Sequence, residues 1–158
     1  MSGISVGDMA PCFKVTAHDG RPVSLADFRG KQAVVVFFYP HDNTPVCTKE
    51  ACAFRDSYQD FVDAGAAVIG ISSDSDESHQ SFAATQRLPY LLVSDSDGAL
   101  RKAFGVPKTL GFLPGRVTYV IDRDGIVQHV FNSQLQGLKH VEEALAVVRK
   151  LSGASSEK

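Results

Sequence analysis

Three of the 158 residues are cysteines, Cys12, Cys47 and Cys52, and the surroundings of Cys47 suggest chemistry. It follows Val34-Val35-Val36-Phe37-Phe38-Tyr39, then Pro40 and the turn-forming Asp42-Asn43-Thr44-Pro45. The apolar run reads as a strand buried on both faces. The polar stretch reads as a turn that leads into a helix. Cys47 then stands at or just inside the first helical turn, outside the carboxyl end of a strand, where sites in open α/β sheets form. A helix N-terminus offers unpaired N–H groups and the positive end of the macrodipole. Cysteines in such settings have pKa values of roughly 3.5–7.5 and act as thiolate nucleophiles. Cys47 is therefore a candidate reactive thiol. The plainer alternative is a buried cysteine acting as a small hydrophobe.

The elements around this junction follow from periodicity and turn residues. Residues 13–17 alternate apolar and polar and predict a short strand, followed by a hairpin-like turn at His18-Asp19-Gly20-Arg21. Residues 23–28 add a short strand and one helical turn. After the cysteine, Ala51, Phe54, Tyr58, Phe61 and Val62 recur three and four apart, which predicts one helix over residues 48–64 with Gly65 as its cap. Residues 66–71 form a second buried strand, a helix runs to about Arg87, and a short strand covers residues 90–93. A short helix ends near Phe104-Gly105, and residues 106–115 read as a loop. Strands at residues 116–121 and 126–131 flank the turn Asp122-Arg123-Asp124-Gly125. A last helix covers residues 138–151, and residues 152–158 form a frayed tail. Alternating strands and helices with a closing hairpin predict an α/β fold, a three-layer sandwich in one domain over residues 1–151.

Composition narrows the function classes. Sixteen basic against eighteen acidic residues leave a net charge of −2, which gives no reason to expect nucleic acid or a membrane surface as partner. No apolar stretch approaches the roughly 18 residues of a membrane span. The first eight residues have neither the basic nor the apolar part of a secretory signal, so a cytoplasmic protein is expected. An odd, small number of cysteines points to thiol chemistry rather than a disulfide scaffold.

The segment Phe38-Tyr39-Pro40, Asp42-Asn43-Thr44-Pro45 and Cys47-Thr48-Lys49-Glu50-Ala51-Cys52 resembles the active-site segment of the peroxiredoxins, most closely their PrxQ, or bacterioferritin-comigratory-protein, branch. The family spacing of Pro, Thr or Ser, and Cys is met by Pro40, Thr44 and Cys47, and residues 113–122 are similar to a second family signature. The resemblance covers about residues 7–151. It implies a thioredoxin-like fold with a central mixed sheet flanked by helices, and a thiol peroxidase for antioxidant defence and redox homeostasis. It needs no metal, flavin or other cofactor. Cys47 is the implied peroxidatic cysteine, which attacks the O–O bond and becomes a sulfenic acid. Thr44 is implied to aim its hydroxyl at thiolate and peroxide; its plainer reading is a simple helix N-cap, and both can hold at once. Pro40, otherwise only a strand terminator, would cover the site. Arg116, otherwise a solvated residue opening a strand, would clamp the oxygens with a permanent charge.

Cys52 is the implied resolving cysteine. Residues five apart on an ideal helix have Cα atoms roughly 8–9 Å apart, beyond the 4.4–6.8 Å or so of a disulfide. An intramolecular Cys47–Cys52 bond therefore requires the first turns of the helix to unwind. Hydrogen peroxide and organic hydroperoxides are the implied substrates, thioredoxin or glutaredoxin the implied reductant, and a monomer the implied state. A non-turnover redox sensor, a protein thiol–disulfide oxidoreductase and a holdase are the readings from other classes. Cys12 is read as structural, Arg55 as solvated. Val46 stands where the branch usually has Gly, so its turn must use an ordinary backbone conformation. His41 stands where Lys is common, which adds a group that titrates near neutral pH.

Overall fold

The apolar run of the sequence is the spine of the molecule, buried at every residue from Ala33 to Phe38. The computed structural model describes residues 4–106, 108–109, 113–133 and 136–156. In chain order it has β1 (Lys14–Thr16), β2 (Pro22–Ser24), a 3-10 turn (Leu25–Phe28), β3 (Ala33–Phe38), α1 (Pro45–Asp56), α2 (Tyr58–Asp63), β4 (Ala66–Ser72), α3 (Asp76–Gln86), β5 (Leu91–Ser94), α4 (Ala99–Phe104), β6 (Lys108–Thr109), β7 (Leu113–Pro114), β8 (Val117–Ile121), β9 (Val127–Asn132) and α5 (Gly137–Ser156).

Five strands make one sheet in the order β5-β4-β3-β8-β9. β3 is parallel to β4 and antiparallel to β8, so the sheet is mixed and β3 lies at its centre. Successive side chains of a strand point to opposite faces, and β3 accordingly feeds two cores. Val34, Val36 and Phe38 pack with Phe13, Leu25, Phe104 and Tyr119. That face is covered by the β1–β2 hairpin, the 3-10 turn and α4. Ala33, Val35, Phe37 and Tyr39 pack with Phe54, Phe61, Phe82 and Val148 under α1, α2, α3 and α5. The arrangement is a three-layer sandwich, as expected. Phe37 places α1 directly, because its ring stacks on Phe54 at 4.4 Å. The same ring needs a bare neighbour in β4: a Cβ at Gly70 would lie 2.8 Å from Phe37 Cζ.

Three expectations are corrected. The helix predicted over residues 48–64 is two helices, broken at Ser57, whose N–H donates to both Ala53 and Arg55 carbonyls. Phe54 and Phe61 lie on either side of the break and are both fully buried, with rings 5.6 Å apart. The stretch read as a loop contains β6 and β7, which pair antiparallel through Lys108–Pro114 and Thr109–Leu113. Two-residue strands are too short to show periodicity. Pro107 and residues 110–112 lie outside the described residues. Finally, α5 continues through residues 152–156, read as a frayed tail, because a helix once docked propagates at one bond per residue. Residues 157–158 lie outside the described residues.

Candidate active site

The junction before α1 is built from local backbone chemistry. Tyr39 still donates its N–H to the Ile71 carbonyl, but Pro40 has no N–H to continue the ladder. The chain reverses through Asn43, whose φ of 66° is left-handed and is best tolerated, outside glycine, by Asn and Asp. Thr44 is the N-cap of α1 and Pro45 its first residue, where a missing N–H costs nothing. Cys47 is therefore the third residue of the helix, within its first turn as predicted. The left-handed residue is Asn43, so Val46 sits in regular helix. Thr44 occupies the cap position without capping: its Oγ1 donates to the His41 carbonyl at 2.9 Å.

Arg116 comes from the start of β8, the strand paired beside β3, and meets this turn. It precedes β8, where its carbonyl accepts from the Ser133 N–H and ties it to the end of β9. Its Nη2 donates to Cys47 Sγ at 3.1 Å, and its Nη1 donates to Glu50 Oε1 at 2.6 Å. Cys47 is 1% exposed and Arg116 3% exposed, so the contact is made out of water. A guanidinium there holds a full positive charge on the sulfur in a medium that screens it weakly.

Glu50 and His140 were not singled out from sequence, and both belong to the centre. Glu50 lies three residues after Cys47, on the same helix face. Burial pushes its carboxyl up to about 8, against the charge and hydrogen bond of Arg116. Its Oε2 has no hydrogen-bond partner among the described residues, an arrangement that suits the protonated acid. His140 Nδ1 stands 3.7 Å from that oxygen. Burial lowers His140 to about 4, the bond to Ser133 opposing and the charge of Arg116 assisting. The neutral ring donates from Nε2 to the Ser133 carbonyl at 2.7 Å and accepts the Thr118 hydroxyl on Nδ1 at 2.8 Å. α5 reaches this close because of Gly137, where a Cβ would lie 3.1 Å from the Val46 carbonyl oxygen and from Glu50 Cβ. The spacing of Glu50 from Cys47 was the available signal; nothing local marked that face as buried.

Cys52 lies in the same helix but faces elsewhere. Its thiol donates to Gln86 Oε1 at 3.3 Å, at the end of α3. Arg55, read as solvated, instead donates from Nη1 to the Gln86 carbonyl at 2.7 Å. Tyr90 donates its hydroxyl to the Ala51 carbonyl at 2.6 Å. All three cysteines are free thiols. Pro40 is half-buried beside Tyr39.

A buried thiol in a first helical turn, bonded to an arginine from a neighbouring strand, sits within a sequence that matches the AhpC/TSA family over residues 6–130. The chain belongs to this family. A chloroplastic peroxiredoxin Q from Sedum lineare is 53% identical over 149 residues, covering 94% of this chain and 80% of that protein. The crystal structure of peroxidoxin BcpB from Mycobacterium tuberculosis matches with a TM-score of 0.85 and 37% identity, covering 95% of this chain and 98% of that one. A bacterioferritin comigratory protein from Xanthomonas campestris, studied for alkyl peroxide reduction in trapped intermediate and ligand complexes, matches with a TM-score of 0.81 and 29% identity over 89% of this chain and 92% of that one.

The chain is thus a peroxiredoxin of the PrxQ type with a thioredoxin-like fold, an oxidoreductase that reduces peroxides at the expense of a thiol reductant. The expected cytoplasmic location is corrected by the same matches, since the plant relatives are chloroplastic proteins. The reading of the first eight residues did not determine location. In this peroxiredoxin Cys12 is exposed on the sheet face opposite Cys47, with Arg29 Nη2 at 3.9 Å. His41 is exposed and lies 3.5 Å from Asp74 Oδ1.

Proposed function

We propose that Cys47 is the peroxidatic cysteine and Cys52 the resolving cysteine of a single-domain, monomeric peroxiredoxin recycled by thioredoxin or glutaredoxin. The observation that carries this reading is the 3.1 Å bond from Arg116 Nη2 to Cys47 Sγ inside a buried first helical turn. The Cys47 thiolate attacks the terminal oxygen of a hydroperoxide ROOH. The S–O bond forms with the sulfur electron pair as the O–O bond breaks. RO⁻ leaves and takes a proton, giving an alcohol, or water when the substrate is hydrogen peroxide. Arg116 faces the charge that develops on the oxygens. Pro40 and Thr44, which flank the approach in sequence, shield the site and orient the peroxide. Organic hydroperoxides belong among the substrates, in keeping with the alkyl peroxide activity of the Xanthomonas relative.

Cys47 is left as a sulfenic acid. The Cys52 thiolate attacks its sulfur, hydroxide leaves as water once protonated, and a Cys47–Cys52 disulfide remains. Both residues lie within α1, five positions apart, so their Cα atoms are roughly 8–9 Å apart in regular helix. The helix must open before they bond. An external dithiol then reduces the disulfide.

The test is NADPH consumption with thioredoxin, its reductase and hydrogen peroxide, for wild type, Cys47→Ser and Cys52→Ser. Turnover in wild type, none in Cys47→Ser, and a single stoichiometric reaction in Cys52→Ser is the expected result. Normal turnover of Cys52→Ser would replace the two-cysteine scheme with a one-cysteine scheme.

A further inference from the structure

Outside the Cys47–Arg116 centre, the buried carboxylate with the most hydrogen bonds among the described residues is that of Asp42, in the turn that leads into α1. Its Oδ1 accepts from the Tyr39 hydroxyl at 2.6 Å and its Oδ2 from the Ser78 hydroxyl at 2.8 Å. The same Oδ2 lies 2.7 Å from His79 Nδ1. The Asp42 N–H donates to Asp74 Oδ2 at 2.7 Å. His79 is fully buried, and its other nitrogen, Nε2, lies 3.1 Å from the Val93 carbonyl oxygen.

Those two contacts determine the protonation of the ring. A carboxylate and a backbone carbonyl both accept and neither donates, so each imidazole nitrogen must supply a hydrogen. Only the imidazolium has two. Burial works against a charge on Asp42, yet the bonds from His79 and Tyr39, the charge of His79 and the bond from Ser78 hold its carboxyl below the usual range. We propose that His79 is a buried imidazolium and that, through Asp42, it is the positioning residue for residues 40–44, the segment that carries Pro40 and Thr44 to Cys47. The proposal rests on the catalytic reading above.

Four elements meet at this pair. Tyr39 comes from the end of β3, its hydroxyl 3.4 Å from His79 Nδ1. Asp74 comes from the loop after β4, held by the Ser72 hydroxyl at 2.7 Å and bordered by His41. Ser78 and His79 come from the first turn of α3, and Val93 from β5. Asp42, Asp74 and His79 bring ligand atoms within 4.8 Å of one another, the spacing of a cation site. A ring that donates from both nitrogens has no lone pair for a metal, so the cluster reads as an internal ion pair. What it restrains is the turn whose next residue, Asn43, has a φ of 66°. A left-handed residue persists where its surroundings over-determine it, and Asp42 supplies four bonds immediately before it.

The primary test is an NMR measurement of the imidazole ¹⁵N shifts of the intact, ¹⁵N-histidine-labelled protein at pH 7. His79 is expected to show two protonated ring nitrogens; a neutral tautomer would overturn the proposal. The kinetic test follows Cys47 sulfenic acid formation by quenched mass spectrometry in His79→Gln, Asp42→Asn and the double variant. Each single variant is expected to slow this step about tenfold, as misplacement of a reacting group does. The double variant should be no slower, since the pair acts as one unit. Thiol labelling of Cys52 should be unchanged. An unaltered rate in both single variants overturns the positioning role even if the imidazolium is seen. If wild type forms no sulfenic acid at Cys47, the catalytic reading fails, and the NMR result still decides the protonation state of His79.

Discussion

Cys47 and Cys52 are the same residue type, in the same helix, less than two turns apart, and the fold gives them opposite surroundings. Cys47 faces a buried guanidinium and, behind it, Glu50. Cys52 is half-buried and donates its thiol proton to the neutral side-chain amide of Gln86. The first sulfur accepts a charge-assisted hydrogen bond, whereas the second thiol is itself the donor. In the proposed reading the first thiol attacks, and the second waits for the helix to open. The helix gives the first thiol its N-terminal turn, and what the helix packs against gives each thiol its own partner.

The sharpest way to break this contrast is to remove the charge. Arg116→Met is expected to slow sulfenic acid formation by about 10²–10³-fold, the cost of losing a preorganised donor, while thiol labelling of Cys52 is unchanged. Equal loss at both thiols would show that the variant merely loosens α1.

Glu50→Gln probes the acid behind the arginine through pH. The carboxyl, ordinarily near 4.5, is raised to about 8 in the folded protein. Folding therefore takes up a proton between these values, and the stability this gives is full below the lower one and lost as pH rises to the higher. His140 acts in the opposite sense: ordinarily near 6.5 and lowered to about 4, it gives stability that is full above the first value and lost as pH falls to the second. The range from 6.5 to 8 separates Glu50 from His140. Wild type should lose stability there by on the order of 1 kcal/mol per pH unit. Glu50→Gln should flatten the slope, read from urea midpoints.

Gln86→Leu should sharpen the contrast from the other end. Releasing the Cys52 thiol removes a bond worth about 1 kcal/mol, so disulfide formation after peroxide should quicken by about fivefold. The chain has no tryptophan, so quenched mass spectrometry is the readout. An unchanged rate would mean that helix opening alone limits resolution. The smallest effect is expected of Asn43→Ala, which puts alanine at a φ of 66°. It should cost about 1 kcal/mol in thermal unfolding and leave Cys52 untouched.

Much of the architecture was legible because its signals are local. A short, β-branched apolar run closed by a proline reads as a buried strand, and Pro40, Asn43 and Pro45 each act on the backbone at their own position. The misreadings came where local signals are weak. Ser57 breaks α1 from α2 without a glycine or proline. The β6–β7 ladder spans two residues a side, and α5 runs past its last apolar position.

The sequence by itself determined the chain order of the five strands of the main sheet, the place of Cys47 in the first turn of a helix, and the resemblance that named Cys52, Thr44, Arg116 and Pro40. Only the tertiary structure brought Arg116 to Cys47 across 69 residues, set Glu50 and His140 behind it, and closed Asp42 onto His79. The reason is one of range. Backbone preferences act within a few residues and can be read in order. Which face of a helix is buried, and which charged groups meet there without water, depends on packing between segments far apart in the chain.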